Sequence, residues 1–115
     1  MKNSGGVTFL ITADQLGIGG EEPGKKLIKS FLYSLAQTPA APDALLLVNT
    51  GVKLAAQGSD SLDELKTLAG NGVTIIACGQ CLAYYELVDQ LAVGKIGNML
   101  EIVEILSAAQ SAITI

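Results

Sequence analysis

The sequence contains no histidine, no arginine and only two cysteines in 115 residues. Without histidine, Ser-His-Asp and Cys-His catalysis are ruled out. Without arginine or any basic run, and with a formal net charge of -4, no nucleic-acid partner is expected. Charge of either sign is scarce: 16% of residues are charged, against about 25% in an ordinary globular chain. Half of the chain (50%) is hydrophobic. Some of that apolar surface is expected to be buried against another subunit, although a tightly packed parallel sheet also raises apolar content. The apolar run Val7 to Ala13 is too short to span a bilayer, so no membrane partner is expected. The polar start Met1-Lys2-Asn3-Ser4-Gly5-Gly6 lacks the apolar segment of a signal peptide. The expectation is a flexible tail over residues 1–6 and one domain over 7–115, working in the cytoplasm, where thiols stay reduced.

Both cysteines lie in one motif, Cys78-Gly79-Gln80-Cys81. Ahead of it runs Val73-Thr74-Ile75-Ile76-Ala77, short, apolar and β-branched, which predicts a buried strand. Behind it, Leu82 to Val88 suits a helix. A thiol at such a junction meets free backbone N–H groups and the positive end of the helix dipole, and both favour the nucleophilic thiolate. Cys78 is therefore the candidate nucleophile. Its plainer reading is a small buried hydrophobe at a strand end. Cys81, in the first helical turn, either resolves a persulfide or disulfide on Cys78 or packs under the helix.

Two further strands are predicted, Val7 to Ala13 and Ala44 to Val48, and Ala112 to Ile115 fits a last one. None of the first three alternates apolar with polar residues, so burial on both faces, and hence a mainly parallel sheet, is expected. Between them, Leu27, Ile28, Phe31, Leu32, Leu35 and Ala36 form a helical stripe, with Pro23 in the first turn, where its missing N–H costs nothing. Ser61-Leu62-Asp63-Glu64 reads as a capping box, Asn71-Gly72 as a helix stop, and Asn98 as the cap of a helix carrying Ile102, Val103, Ile105, Leu106 and Ala109. The order β-α-β-α-β-α-α-β describes an open, doubly wound, mainly parallel α/β sheet flanked by helices.

Ligands of such sheets bind beyond the carboxyl ends of the strands. Three loops leave those ends: Asp14 to Gly20, Asn49-Thr50-Gly51, and the cysteine motif. Their convergence makes Asp14, Gly17, Gly19, Asn49, Gly51, Gly79 and Gln80 candidate binding residues around Cys78 and Cys81. Asp14 equally suits a turn. Gly17-Ile18-Gly19-Gly20 has the wrong spacing for a dinucleotide or P-loop fingerprint and reads more simply as a surface turn. One hydroxyl of Tyr84-Tyr85 is expected to reach the cleft, and Lys53 is read as solvated. Two thiols are too few for a tetrahedral zinc site unless subunits share one, so neither metal nor cofactor is expected. A thioredoxin fold is disfavoured: the motif lies two-thirds along the chain, and the last proline is Pro42, so none follows the motif to pack against it.

Several segments together resemble one known pattern: Ile11-Thr12-Ala13-Asp14-Gln15-Leu16-Gly17 with Gly24-Lys25-Lys26-Leu27; Val48-Asn49-Thr50-Gly51-Val52-Lys53-Leu54-Ala55; and Cys78-Gly79-Gln80-Cys81-Leu82-Ala83-Tyr84-Tyr85 with Leu91-Ala92-Val93-Gly94 and Asn98-Met99. They are similar to the DsrE-like domain of YedF-type, selenium-metabolism-associated, sulfurtransferase-like proteins, from Val7 to Ile115. Pro23 departs from the leucine usual there. The resemblance implies a DsrE/DsrF-like fold, a trimeric or hexameric homo-oligomer, and a persulfide carried on the cysteine after the third strand, which Cys78 matches. YedF-type proteins join this domain to an N-terminal TusA-like domain with its own cysteine, so a TusA-like domain is an expected partner beside donor and acceptor thiol proteins. The functional expectation is a persulfide carrier or sulfurtransferase-like protein passing sulfane sulfur, or selenium, through Cys78. The alternative is an oligomeric, non-enzymatic module that binds a small ligand or protein at the same cleft.

Overall fold

A computed structural model of the chain describes residues 6–39 and 41–115. Its elements are β1 (Val7–Ile11), α1 (Glu21–Gln37), β2 (Ala44–Leu47), a 3-10 segment (Asn49–Ala55), α2 (Leu62–Gly70), β3 (Thr74–Cys78), α3 (Gly79–Tyr84), a 3-10 turn (Val88–Gln90), β4 (Lys95–Gly97), α4 (Met99–Ala108) and β5 (Ser111–Thr114). The strands form one five-stranded sheet in the order β4-β3-β2-β1-β5. Every pairing in it is parallel. No described helix is long and apolar enough to cross a membrane.

Of the three continuous apolar strands, β2 and β3 are buried as expected, whereas β1 fully buries only Thr8 and Ile11. All four residues of β2 are buried, as are Ile75, Ile76, Ala77 and Cys78 of β3. From β1 to β4 the chain advances across the sheet in one direction, so right-handed crossovers carry α1, α2 and α3 over one face; the return from β4 to β5 carries α4 over the other. Ile28 and Leu32 of α1 and Leu65 and Leu68 of α2 are buried in the first layer. Each such side chain contributes roughly 1.5–3 kcal/mol of transfer free energy. Phe31 of α1 meets Phe9 of β1 edge to face, with ring centroids 5.4 Å apart. Leu27, one position off this stripe, is exposed instead.

Helix ends follow local chemistry in most places. The Glu101 N–H donates to Asn98 Oδ1 at 2.8 Å, so Asn98 caps α4 as expected. Gly72 takes φ +94, while the Val73 N–H reaches the Leu68 carbonyl and the Gly72 N–H that of Ala69. These bonds satisfy the last carbonyls of α2. The capping box is a correction: Ser61 makes no side-chain cap bond to α2. Its intended partner, Glu64, lies 3.0 Å from Lys29 of α1 and is committed to that ion pair.

Three other expectations shift. The helix expected from Leu82 runs from Gly79 and stops at Tyr84. Glu86 turns to φ +58, and the Leu87 N–H closes the end on the Leu82 carbonyl at 2.7 Å. A strand not anticipated, β4, lies on β3 at the sheet edge. Its Gly97 sits so close to β3 that an added Cβ would stand 2.5 Å from Ile76 Cγ2. Of the expected tail, residues 1–5 lie outside the described residues, and Gly6 is buried with its carbonyl accepting from the Ser111 N–H.

Candidate functional site

Cys78 is the last residue of β3, at its carboxyl end, opposite Gly97 of β4. Its backbone is extended (φ -62, ψ 120) and α3 starts at the next residue. Gly79 allows that turn: a Cβ there would lie 3.0 Å from Ile96 Cγ2. The Cys78 side chain is 1% exposed. Its opening is a cleft of about 380 Å³ shared with Gly79, Gln80, Ile96, Gly97 and Met99.

Cys81, one turn on and half-buried, neighbours Cys78. Its Sγ also accepts the Asn49 N–H at 3.1 Å. Burial raises the Cys81 thiol above its ordinary value; the Asn49 N–H pulls the other way, and the neighbouring Cys78 thiol adds to the rise. Asn49 can aim its N–H at the sulfur because it turns left-handed, φ +52, directly after β2. Asparagine is among the few non-glycine residues that occupy this region readily. Its side chain is used as well: Tyr85 O–H donates to Asn49 Oδ1 at 2.8 Å. The Lys53 ammonium lies over the Tyr85 ring, 4.7 Å from its centroid.

The three strand-end loops do meet. The Asp14 N–H lies 3.3 Å from Thr50 Oγ1, and Asn49 reaches Cys81. Within that frame the candidate residues part company. Asn49, Gly79 and Gln80 adjoin the thiols. Gly51 is packing: a Cβ there would be 2.4 Å from the Ile11 carbonyl oxygen, so the residue lets the loop after β2 abut the end of β1. Asp14 lines a separate, larger cleft with Tyr85 and Lys53. Gly17 and Gly19 are exposed, with φ +83 and +147 and nothing within 4 Å of an added Cβ; they line neither cleft. Tyr85 is the hydroxyl that reaches the site, while Tyr84 is exposed. Ile96, on the rim of the thiol cleft, went unmarked in the sequence because β4, which places it, was not recognised; Met99, beside it on the rim, is the first residue of α4 and was read only as part of that helix's start. Among the described residues no group of three or more His, Cys, Asp or Glu side chains is placed to hold a metal ion.

A family model, the DsrE/DsrF-like family, matches residues 35–115, which include β2 to β5 and both thiols. The chain belongs to the DsrE/DsrF-like family. This family is generally associated with sulfur relay. Two solved structures share its architecture. One is the YchN protein from E. coli, at 14% identity and TM-score 0.67, covering 100% of both chains. The other is MTH1491 from Methanobacterium thermoautotrophicum, titled a protein of unknown function, at 21% identity and TM-score 0.69, covering 95% of this chain and 97% of that one. At these identities the likeness carries the fold alone. No curated protein matches the sequence. The family match begins within α1, so the Asn49 and cysteine loops of this DsrE/DsrF-like chain fall inside it and the Asp14 loop falls outside.

Proposed function

We propose that the chain is a sulfur carrier of the sulfurtransferase type, with Cys78 as the residue that holds the sulfur. The observation that carries this reading is the neighbouring pair Cys78 and Cys81 at the carboxyl end of β3, in a chain of this family. The Cys78 thiolate attacks the sulfane sulfur of a donor persulfide; that S–S bond breaks and the donor leaves as a thiolate. An acceptor thiolate then attacks the outer sulfur of Cys78-S-SH and releases the Cys78 thiolate. No oxidant enters either step. Alternatively, Cys81 attacks the inner sulfur, hydrosulfide leaves, and the resulting Cys78–Cys81 disulfide needs an external thiol for its reduction.

With only six residues, α3 offers a short helix dipole. Support for charge at the sulfurs therefore falls mainly on individual N–H groups, of which that of Asn49 is the defined one. The exposed Ile96 and Met99 on the cleft rim suit contact with a donor or acceptor protein, a TusA-like domain being the candidate. The apolar face of α4 suits a further copy of the chain, in a trimer or hexamer. Cytoplasmic residence, a YedF-type relationship and transfer of selenium in place of sulfur belong to the same proposal.

The test is loading followed by transfer. After incubation with a persulfide donor, the intact mass should rise by one sulfur, and an acceptor thiol should remove it. A protein that never gains the adduct contradicts the reading.

A further inference from the structure

A closed circuit of hydrogen bonds joins Tyr85 to the second thiol. The Tyr85 N–H donates to the Cys81 carbonyl at 3.1 Å, where α3 ends. The Tyr85 hydroxyl donates to Asn49 Oδ1 at 2.8 Å, and the Asn49 N–H donates to Cys81 Sγ at 3.1 Å. The circuit ties α3 to a turn 32 positions earlier in the chain. The Tyr85 ring is itself held on two sides. The Lys53 ammonium lies over its face, 4.7 Å from the centroid, and Tyr84 packs against it edge to face with centroids 4.9 Å apart.

Asn49 needs such a hold. It is exposed, so burial does not fix its conformation, and it turns left-handed at φ +52. Asparagine enters that region more readily than most residues but does not prefer it to the alternatives. Among the described residues, the bond from Tyr85 is the one that anchors its side chain. Gly51 and Val52 behind it are buried. A change of φ at Asn49 therefore swings the peptide group that carries the N–H, and the sulfur loses its donor. No lysine acts on Cys81; Cys78 is the one titratable group that does. The Asn49 N–H is thus the defined support for charge on this sulfur.

We propose that Tyr85 is a positioning residue for Cys81: through the Asn49 turn its hydroxyl keeps an N–H on that sulfur, and so sustains Cys81 as the thiolate that discharges the carrier when no acceptor thiol is present. The discharge role rests on the carrier reading; the positioning role does not. In the discharge, the Cys81 thiolate attacks the inner sulfur of Cys78-S-SH. The Cys78–Cys81 disulfide forms, the bond to the outer sulfur breaks, and hydrosulfide leaves with its electron pair. Two equivalents of an external thiol then reduce the disulfide and leave as a disulfide of their own.

Positioning is read in the unloaded chain, on a Cys78→Ser background so that only Cys81 alkylates. Tyr85→Phe keeps the ring and its contacts with Lys53 and Tyr84, and removes only the hydroxyl. It should slow iodoacetamide alkylation of Cys81 at neutral pH by roughly two- to tenfold and move the pH profile upward. Asn49→Gly, which turns left-handed freely, should lose less than Asn49→Ala. Adding Tyr85→Phe to Asn49→Gly should change nothing further, because the hydroxyl then has no amide to hold. A Cys81 profile unmoved by Tyr85→Phe, or an undiminished effect of Tyr85→Phe on Asn49→Gly, overturns the positioning role. Discharge is read with both cysteines present. The chain is loaded from a persulfide donor, freed of donor and left without acceptor thiol, and intact mass follows the conversion of persulfide to disulfide. Tyr85→Phe should slow this conversion near neutral pH by the same factor as it slows alkylation, and the difference should close at alkaline pH, where Cys81 is ionised in both chains. Equal rates at every pH overturn the discharge role. A chain that never loads refutes the carrier reading, and the alkylation profiles still decide the positioning role.

Discussion

The two faces of the sheet are finished differently. On one, α1 and α2 pack together and bury Ile28, Leu32, Leu65 and Leu68, while their lysines and acids face water or each other. On the other, α4 buries Ile102 and leaves Met99 49%, Leu100 67% and Val103 48% exposed. The edge strand β5 is exposed along its whole length. The first layer is complete within one chain; the second has apolar surface on both sides of its helix and little charge to cover it. The thiols sit where the two regions meet. Cys78 belongs to the buried sheet, but its cleft opens on Ile96 and Met99 of the unfinished side.

The sharpest way to break this comparison is to truncate one side chain from each layer. Leu65→Ala should destabilise the fold by about 2–5 kcal/mol in urea denaturation. Leu100→Ala should change monomer stability by no more than about 0.5 kcal/mol. The double substitution Leu100→Asp, Val103→Asp should instead lower the oligomeric state seen by light scattering. If the unmodified chain already scatters as a monomer at micromolar concentration, the α4 face is not an interface between copies.

A smaller contrast separates glycines that the sequence groups together. Gly51→Ala forces a Cβ to 2.4 Å from the Ile11 carbonyl oxygen and should cost roughly 1–3 kcal/mol. Gly17→Ala meets no neighbour, and only its φ of +83 resists the change, so thermal unfolding should register about 1–2 kcal/mol, less than at Gly51. Equal losses at the two positions would contradict the packing role assigned to Gly51.

The smallest effect concerns pH. The folded state holds the Cys81 thiol above its ordinary value, chiefly through burial. A group raised in this way contributes stability that is complete below the unfolded thiol range, near 8.5, and is lost as pH rises through the folded value. Stability should therefore decline slightly at alkaline pH, and the decline should vanish in Cys81→Ser. Cys78→Ser removes the charge by which Cys78 raises Cys81. Alkylation of the remaining thiol should then begin at lower pH than it does for Cys81 in the unmodified chain. A shift to higher pH would show that Cys78 was supporting the Cys81 thiolate.

Much of this arrangement could be read from residue order. The β-branched run before Cys78, the continuous apolar strands and the asparagine cap of α4 each encode their structure within a few neighbouring residues, and the parallel sheet follows from them. What escaped depends on contacts distant in sequence. β4 has only three residues, the last of them Gly97, and it becomes a strand only because Gly94 and Gly97 let it lie close against β3. Glu64 looked like a cap until α1 brought Lys29 beside it. The left-handed turn of Asn49, which delivers an N–H to Cys81, leaves no mark in a sequence that reads simply as a turn. Gly17 and Gly19 seemed part of the site because they follow a strand, yet nothing approaches them.

One comparison decides which thiol carries the sulfur. Cys78→Ser and Cys81→Ser are each incubated with a persulfide donor, and intact masses are taken before and after reduction. Cys81→Ser should gain one sulfur and lose it on reduction, while Cys78→Ser should gain none. Loading of Cys78→Ser with none on Cys81→Ser would reverse the two roles and contradict the assignment of Cys78 as carrier.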